Sequence, residues 1–424
     1  MKVAVIQFPG SNCERETLLA LQRVGLSAEA VLWNGPYEAL KAFSAYILIG
    51  GFSYEDRVRS GLIAAMDPLM QVLDQEAQSG KAILGICNGA QILVESGLVP
   101  GLAHKEVAMA LAHNQRIKAG KLVGTGYYND WVHIHASHVN PKHAFSSEAL
   151  VQQPMYIPIA HAEGRFLLSQ ELYQALQQTD AVFYYYCDAR GEIIPEFPIN
   201  PNGASFNLAG VSNARGNILA LMPHPERVVA GNPLFAALKT YLERWHQNGE
   251  QALSTVELKF TPPKLNYRPY QLVDAALHYW VGLNIHDNEA ITLESSLQAQ
   301  GIPLTLKRYT HWQIECAKTQ NLERVATQIE ESEFIFNRQK EYTLSLSELK
   351  RKGKRIYIIR PQEDELALHK TNLLQRELHL PVTKVTREQV WVVNAEEAQL
   401  TEVEAALNKR PIFGNPLAHE GYTL

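Results

Sequence analysis

Residues 83 to 93 read ILGICNGAQIL. An apolar run of strand length ends at Cys87, and a helical pattern begins directly after it. Glycines stand two residues to either side, at Gly85 and Gly89. Small neighbours permit a sharp strand-to-helix turn that exposes a nucleophile at its tip. The helix that follows aims its amino-terminal N–H groups at the sulfur, the setting of reactive thiols. The N–H of Asn88 could face an oxyanion. A lone cysteine is more often a small core residue, so the turn alone leaves both readings open.

A nucleophilic cysteine needs a base, and the base needs an orienting acceptor. MPHPER at 222 to 227 follows the apolar strand NILAL. Pro223 and Pro225 bracket His224 and limit its backbone freedom. Extended backbone points His224 and Glu226 the same way. Glu226 would then hold the imidazole, and His224 would take the thiol proton; a surface loop is the alternative. Ile49-Gly50-Gly51-Phe52-Ser53 supplies a third part. Glycines at a strand end let a backbone N–H approach a reacting carbonyl. Gly51 is the candidate second oxyanion donor, although an ordinary strand-end turn would read the same.

Residues 1 to about 245 alternate short apolar runs with helical patterns. VAVIQF, SAEAVLW, AYILIGG and KAILGIC read as strands, with helices over 15–25 and 62–78. Such alternation predicts a mostly parallel α/β sheet covered by helices. Ligands bind at the carboxyl ends of such strands, where Gly51 and Cys87 both fall. Beyond residue 120 the pieces become turn-rich and antiparallel in character. GNILALMP is a last strand, followed by a helix from 233 to 246.

The spacing divides the chain into a first domain, 1–246, and a proline-containing linker, 247–274. Two repeats follow, 275–345 and 352–424. A spacing of 78 residues pairs Pro303 with Pro381, Thr305 with Thr383 and Leu322 with Leu400. Each repeat reads strand, helix, strand, strand, helix, strand, an α+β ferredoxin-like order. Two unrelated α+β segments are the alternative. The basic run Lys350 to Arg355 between them reads as a solvated connection rather than an RNA-binding patch.

The chain has 424 residues and a net charge of −5. That balance gives no reason for nucleic-acid or anionic-membrane affinity. No apolar stretch is long enough to span a bilayer, and the start, MKVAVIQFPG, lacks the features of a signal peptide. A cytoplasmic protein is expected. Cys13, Cys87, Cys187 and Cys316 form no CxxC pair, so neither a disulfide framework nor a structural metal site is expected.

GICNG, GGFS and HPE together resemble the class I, triad-type glutamine amidotransferases. FPGSNCERET (8–17), GGFSYEDRVRSG (50–61), GICNGAQIL (85–93), IPIAHAEGRF (157–166) and NPNGASFNLAGVSNARGNILALMPHPER (200–227) resemble, more narrowly, the glutaminase subunits of phosphoribosylformylglycinamidine synthase. The resemblance implies a flavodoxin-like fold. It implies that Cys87 attacks the side-chain amide of glutamine, His224 shuttles protons and Glu226 orients it. Gly51 and Asn88 would hold the oxyanion, and Gln91 would contact the substrate. His161 and Glu163 lie in a matching stretch with no role assigned. Ammonia would pass to a separate synthase subunit, where ATP and magnesium act; this chain shows no phosphate loop of its own. The familiar form has Gly-Asp-Tyr after Gly-Gly-Phe-Ser-Tyr, whereas Glu55-Asp56-Arg57 stands here. The two repeats resemble the small S subunit of the same complex, most clearly in ALNKRPIFGNPLAHEGYTL (406–424). A tandem copy would be a covalent pseudo-dimer bridging glutaminase and synthase, or else a module binding a small metabolite. Rival readings of the whole chain are a non-catalytic scaffold on a glutaminase fold, another class I amidotransferase, and a cysteine hydrolase on the same elbow.

Overall fold

The run Val3 to Ile6 is apolar on both strand faces, and all four residues are buried. That is the signature of a strand covered on both sides. It opens the first of two units, Met1–Pro262 and Pro263–Leu424, in a computed structural model. The structure describes residues 1–247, 258–317 and 321–424.

The first unit is built on β1 (Lys2–Gln7), β2 (Ser27–Leu32), β3 (Ala45–Leu48), β4 (Ala82–Ile86), β5 (Ala110–Ala112), β6 (Gln115–Lys118), β7 (Lys121–Thr125), β8 (Tyr128–Ala136), β9 (Met155–His161), β10 (Arg165–Leu167), β11 (Phe183–Cys187), β12 (Leu208–Ser212) and β13 (Ile218–Leu221). Its helices are α1 (Glu14–Arg23), α2 (Leu62–Ala65), α3 (Leu69–Gln78), α4 (Asn88–Glu95), α5 (Glu148–Gln152), α6 (Gln170–Gln178) and α7 (Asn232–Gln247). The main sheet runs β2-β1-β3-β4-β13-β12-β11-β8-β9. From β2 to β13 every pairing is parallel. From β13 to β9 every pairing is antiparallel. The expected parallel half and antiparallel half are thus one sheet, joined where β13 lies between β4 and β12.

The helix expected over 62–78 is two helices. Pro68 cannot donate to the helical ladder, and the Asp67 carboxylate accepts from the Leu69 N–H at 2.9 Å. The chain therefore restarts at Leu69.

The second unit holds β14 (Tyr267–Pro269), β15 (Ala276–Leu283), α8 (Asn288–Ala299), β16 (Thr305–Cys316), α9 (Leu322–Ser332), β17 (Glu341–Leu344), α10 (Leu346–Lys350), β18 (Arg355–Pro361), α11 (Glu365–Arg376), β19 (Val382–Asn394), α12 (Leu400–Lys409) and β20 (His419–Thr423). One sheet runs β14-β20-β18-β19-β16-β15-β17. In each half, the two middle strands expected from sequence are one long strand of 12 or 13 residues. The reason is chemical: Thr305–Cys316 contains no Gly, Pro, Asn or Asp to turn it. Tyr267–Pro269, expected within the linker, instead pairs in parallel with β20. Residues 248–257 of that linker lie outside the described residues.

The long strands β16 and β19 pair antiparallel from end to end, Thr305 opposite Asn394 and Cys316 opposite Val382. The 78-residue spacing maps Thr310 onto Glu388 and His311 onto Gln389. The register sets His311 opposite Glu388 and Thr310 opposite Gln389. These four residues therefore surround the local two-fold axis of the unit. His311 and Glu388 have fully buried side chains with His311 Nδ1 and Glu388 Oε2 2.6 Å apart. Tyr270 donates to the same carboxylate oxygen at 2.6 Å, and Arg360 Nε donates to the other at 2.6 Å. The Trp280 ring stacks on His311. Burial alone would raise the Glu388 carboxyl, but His311, Arg360 and Tyr270 together hold it below its usual range.

Of the basic run, Lys354 pairs with Glu397 at 2.9 Å, and Arg355 pairs with Glu404. Both cations are engaged within the unit. Among the described residues no helix is long and apolar enough to cross a membrane.

Burial lowers the His311 pKa, so the charge facing Glu388 is that of Arg360, and removing the carboxylate would strand that cation together with the Tyr270 and His311 donors. Glu388→Ala is expected to destabilise the second unit by about 3–5 kcal/mol. Hydrogen exchange should quicken in β16 and β19 peptides while β1, β3 and β4 keep their protection.

Candidate active site

β4 ends at Ile86 and α4 begins at Asn88, so Cys87 alone makes the turn. Its φ of 51° and ψ of −106° lie where non-glycine residues are strained. Two glycines make that turn possible. A Cβ on Gly85 would stand 2.4 Å from the Gly89 carbonyl oxygen. A Cβ on Gly89 would stand 2.0 Å from the Leu48 carbonyl oxygen. The α4 amino terminus is thereby pressed against the ends of both β3 and β4.

β13 is the next strand over, and it delivers His224. The His224 N–H bonds to the Pro158 carbonyl at 2.9 Å. Its ring Nδ1 lies 2.6 Å from Glu226 Oε1, both side chains being essentially sealed from solvent. Nε2 of the same ring is buried with no hydrogen-bond partner. A Cβ placed on Gly50 would meet His224 Cε1 at 3.0 Å, Cys13 Sγ at 3.2 Å and Cys87 Cβ at 3.5 Å. The base, the elbow cysteine and a second thiol therefore close around one glycine. Burial by itself would lower the His224 pKa. The Glu226 charge, and then the neighbouring Cys87, overturn this and hold the imidazole well above its ordinary value.

Gly51 has φ 142°, and a Cβ there would lie 2.5 Å from the Gly10 carbonyl oxygen. The flanking groups are tied to the same turn: Asn12 N–H to Gly50 O and Phe52 N–H to Gly10 O, each at 3.0 Å. Asn88 is the first residue of α4, so its N–H has no acceptor within the helix. Gly50 thus lies against Cys87 beyond the end of β3, with Gly51 next to it in the chain, and Asn88 follows Cys87 at the head of α4.

The Asn88 side chain accepts from the Ser53 N–H at 3.1 Å and donates to Gln91 Oε1 at 2.9 Å and Asp56 Oδ1 at 3.2 Å. Gln91 Nε2 donates in turn to the Glu163 carbonyl at 2.7 Å. Gln91 joins α4 to the turn after β9, a bracing part that spacing alone did not indicate. His161 is buried, with Nδ1 3.2 Å from Asn114 Oδ1. Desolvation, and then the nearby His224 charge, push it down to about 3. It is a neutral imidazole.

Sequence reasoning left out Cys13 and Arg227. Arg227 donates to Cys13 Sγ at 3.3 Å, and its Nε lies 3.7 Å from Glu226 Oε1. Cys13, His224 and Glu226 offer ligand atoms within 4.8 Å of one another. This donor set suits a thiophilic divalent ion, but the Arg227 cation against the thiol opposes a dication. A signal for Cys13 was present: FPGSNC lies just beyond β1, and β1 neighbours β3 in the sheet. The other two cysteines lie elsewhere, and burial raises the Cys187 thiol to about 12.

A strained thiol at a helix amino terminus and a buried His–Glu pair, with Gly50 packed against the cysteine, suit acyl transfer from an amide. Residues 1–250 match the family described as the CobB/CobQ-like glutamine amidotransferase domain, and the chain belongs to that family. Within it, the chain is similar to phosphoribosylformylglycinamidine synthase subunit PurQ of Methanothrix thermoacetophila. The identity is 43% over 260 residues, covering 57% of this chain and 98% of that protein. PurQ of Aquifex aeolicus is 37% identical over 228 residues, covering 54% of this chain and 91% of its own. Among solved structures, PurLQS from Thermotoga maritima aligns at 31% identity and TM-score 0.43, over 57% of this chain and 98% of the matched one.

The charge balance makes a direct prediction. Glu226→Gln removes the main counter-charge, so burial gains weight and the His224 titration midpoint falls. Nitrogen NMR shifts of the His224 ring in the two proteins would read it.

Proposed function

We propose that this chain is the glutamine-hydrolysing subunit of phosphoribosylformylglycinamidine synthase. The observation that carries the reading is a buried His224–Glu226 pair held at 2.6 Å beside a strained cysteine elbow. The identity to a PurQ protein across 98% of that relative's length supports it.

In this reading Cys87 Sγ attacks the side-chain carbonyl carbon of glutamine, and the carbonyl oxygen becomes an oxyanion facing the Gly51 and Asn88 N–H groups. The thiol proton rests on His224, where the Glu226 charge favours the imidazolium, and passes from there to the departing nitrogen, so ammonia leaves and a glutamyl thioester remains. Water, deprotonated by His224, attacks the thioester; the C–S bond breaks and glutamate and thiol are regenerated. Glu226 fixes the ring and offsets the imidazolium charge in both halves.

Ammonia is consumed by a separate synthase subunit, which activates the amide of formylglycinamide ribonucleotide with ATP and magnesium and converts it to the amidine. The second unit is an assembly module of the S-subunit kind, two copies in one chain. Its two strand–helix–strand–helix–strand halves and its single through-going sheet support that reading. Covalent attachment keeps the module at high effective concentration beside the glutaminase. The protein works in the cytoplasm with glutamine, the synthase subunit and no metal of its own.

The test is glutamate release from glutamine, with and without the synthase subunit, formylglycinamide ribonucleotide and ATP. Wild type should release glutamate in step with amidine formation. Cys87→Ala should abolish both and should escape labelling by an electrophilic glutamine analogue. His224→Ala should lose about 10²- to 10⁴-fold in rate while staying folded. Hydrolysis without amidine would overturn the purine assignment, and labelling of Cys87→Ala would overturn the nucleophile.

A further inference from the structure

The chain after Gly51 makes an unusual turn. Tyr54, Glu55 and Asp56 take φ of 51°, 59° and 54° in succession, and Val58 takes 69°. Left-handed backbone is uncommon for non-glycine residues and an outlier for a β-branched one. Such strain gathers at ligand clamps as well as at catalytic turns. Its effect here is to bring the Asp56 carboxylate against the amino terminus of α4, where Oδ1 accepts from Asn88 Nδ2 at 3.2 Å.

A second carboxylate stands on the same side. Glu163 belongs to the turn after β9 that Gln91 bonds to, and its charge acts on Asp56. The groups around the pair can be named element by element. From its own loop, the Ser60 hydroxyl bonds to Asp56, and Arg57 pairs with Glu55 at 3.0 Å. Arg59 is paired with Glu95 of α4 at 2.7 Å. Asn88 and Gln91 of α4 face it as neutral amides. His113, largely exposed, lies 3.7 Å from Glu163. Among the described residues no cation forms an ion pair with Asp56. Asp56 and Glu163, both partly buried, are thus close enough for their charges to repel, and Asp56 has no ion-pair partner among the described residues.

Glutamine brings the missing charge. Its α-ammonium lies a few bonds from the amide carbon that Cys87 would attack, and Asn88 links Asp56 to that same turn. We propose that Asp56, with Glu163 beside it, is the pole that recognises the α-ammonium of glutamine. This rests on the glutaminase reading above and adds a specificity-determining residue to it. An ammonium between two carboxylates relieves their repulsion and replaces lost solvation with a charged hydrogen bond. The unliganded corner shows the strain of lacking it: burial, then the Glu163 charge, push the Asp56 carboxyl up to about 7.

The experiment compares glutamine with glutaramate, the same molecule without its α-amino group, in the full chain with its synthase subunit. Asp56→Asn keeps the size and hydrogen-bonding shape of the side chain, and Asn tolerates left-handed backbone as Asp does. It should raise KM for glutamine about 10- to 100-fold, and the preference for glutamine over glutaramate should collapse. In wild type, KM for glutamine should climb as pH falls through about 7, because the protonated carboxyl no longer attracts an ammonium. That limb should vanish in Asp56→Asn. In Glu163→Gln it should move to lower pH, since the neighbouring charge that raises Asp56 is gone. A variant that keeps the wild-type preference for glutamine overturns the proposal, whatever happens to kcat. If Asp56→Asn fails to fold, Glu163→Gln decides the matter, and an unmoved acid limb overturns it. A wild-type protein that neither hydrolyses glutamine nor is labelled at Cys87 refutes the glutaminase reading itself.

Discussion

One close approach sets the geometry of the first unit. Gly89 lies so near the Leu48 carbonyl that no side chain would fit, at 2.0 Å for a Cβ. This contact fixes α4 against the end of β3 and leaves Cys87 no relaxed conformation. A strained residue persists only where its surroundings over-determine it. Here they do so with a parallel sheet: Leu48 pairs with Gly85 and Ile86 with Leu221, so β3, β4 and β13 end at one level. Gly51, Cys87 and His224 each follow one of those three strands. The site is the sheet's edge read crosswise.

Electrostatics then sort three similar groups into different states. His224 is buried beside Glu226 and is held charged. His161 is equally buried but faces Asn114 and the His224 charge, and it stays neutral. Asp56 is pushed the other way, toward a protonated carboxyl, by burial and a like-charged neighbour. A carboxylate is a rigid counter-ion in the first case and forms no ion pair among the described residues in the last. The residue types alone do not distinguish these roles; the partner across the pocket does.

The second unit applies the same principle to two like halves. Its halves share one element order, and the long strands β16 and β19 make them a single sheet. At the two-fold axis the halves are not alike. His311 faces Glu388 where the symmetric alternative would repeat one pair of residues twice. Halves that differ in sequence can differ at the axis, and a buried hydrogen-bonded His–Glu contact there favours one register. A one-residue slip would set His311 against a neighbour of Glu388 and send every side chain of one strand to the wrong face.

Much of this was legible in the residues. Alternating apolar runs implied the parallel half of the sheet, because period and length are local properties. The glycines around Cys87 and the prolines around His224 marked their turns for the same reason. The split of the 62–78 helix was foreshadowed by Pro68, and the long strands by their lack of turn residues. What the sequence could not decide was adjacency. That Cys13 reaches His224, that Gln91 spends its amide bracing the Glu163 turn, and that Asp56 meets Asn88 all depend on strands brought side by side across dozens of residues. Local chemistry determined which residues could react and where the chain must bend. Only the packed sheet decided which of them touch, because burial and charge pairing exist between elements and not along them.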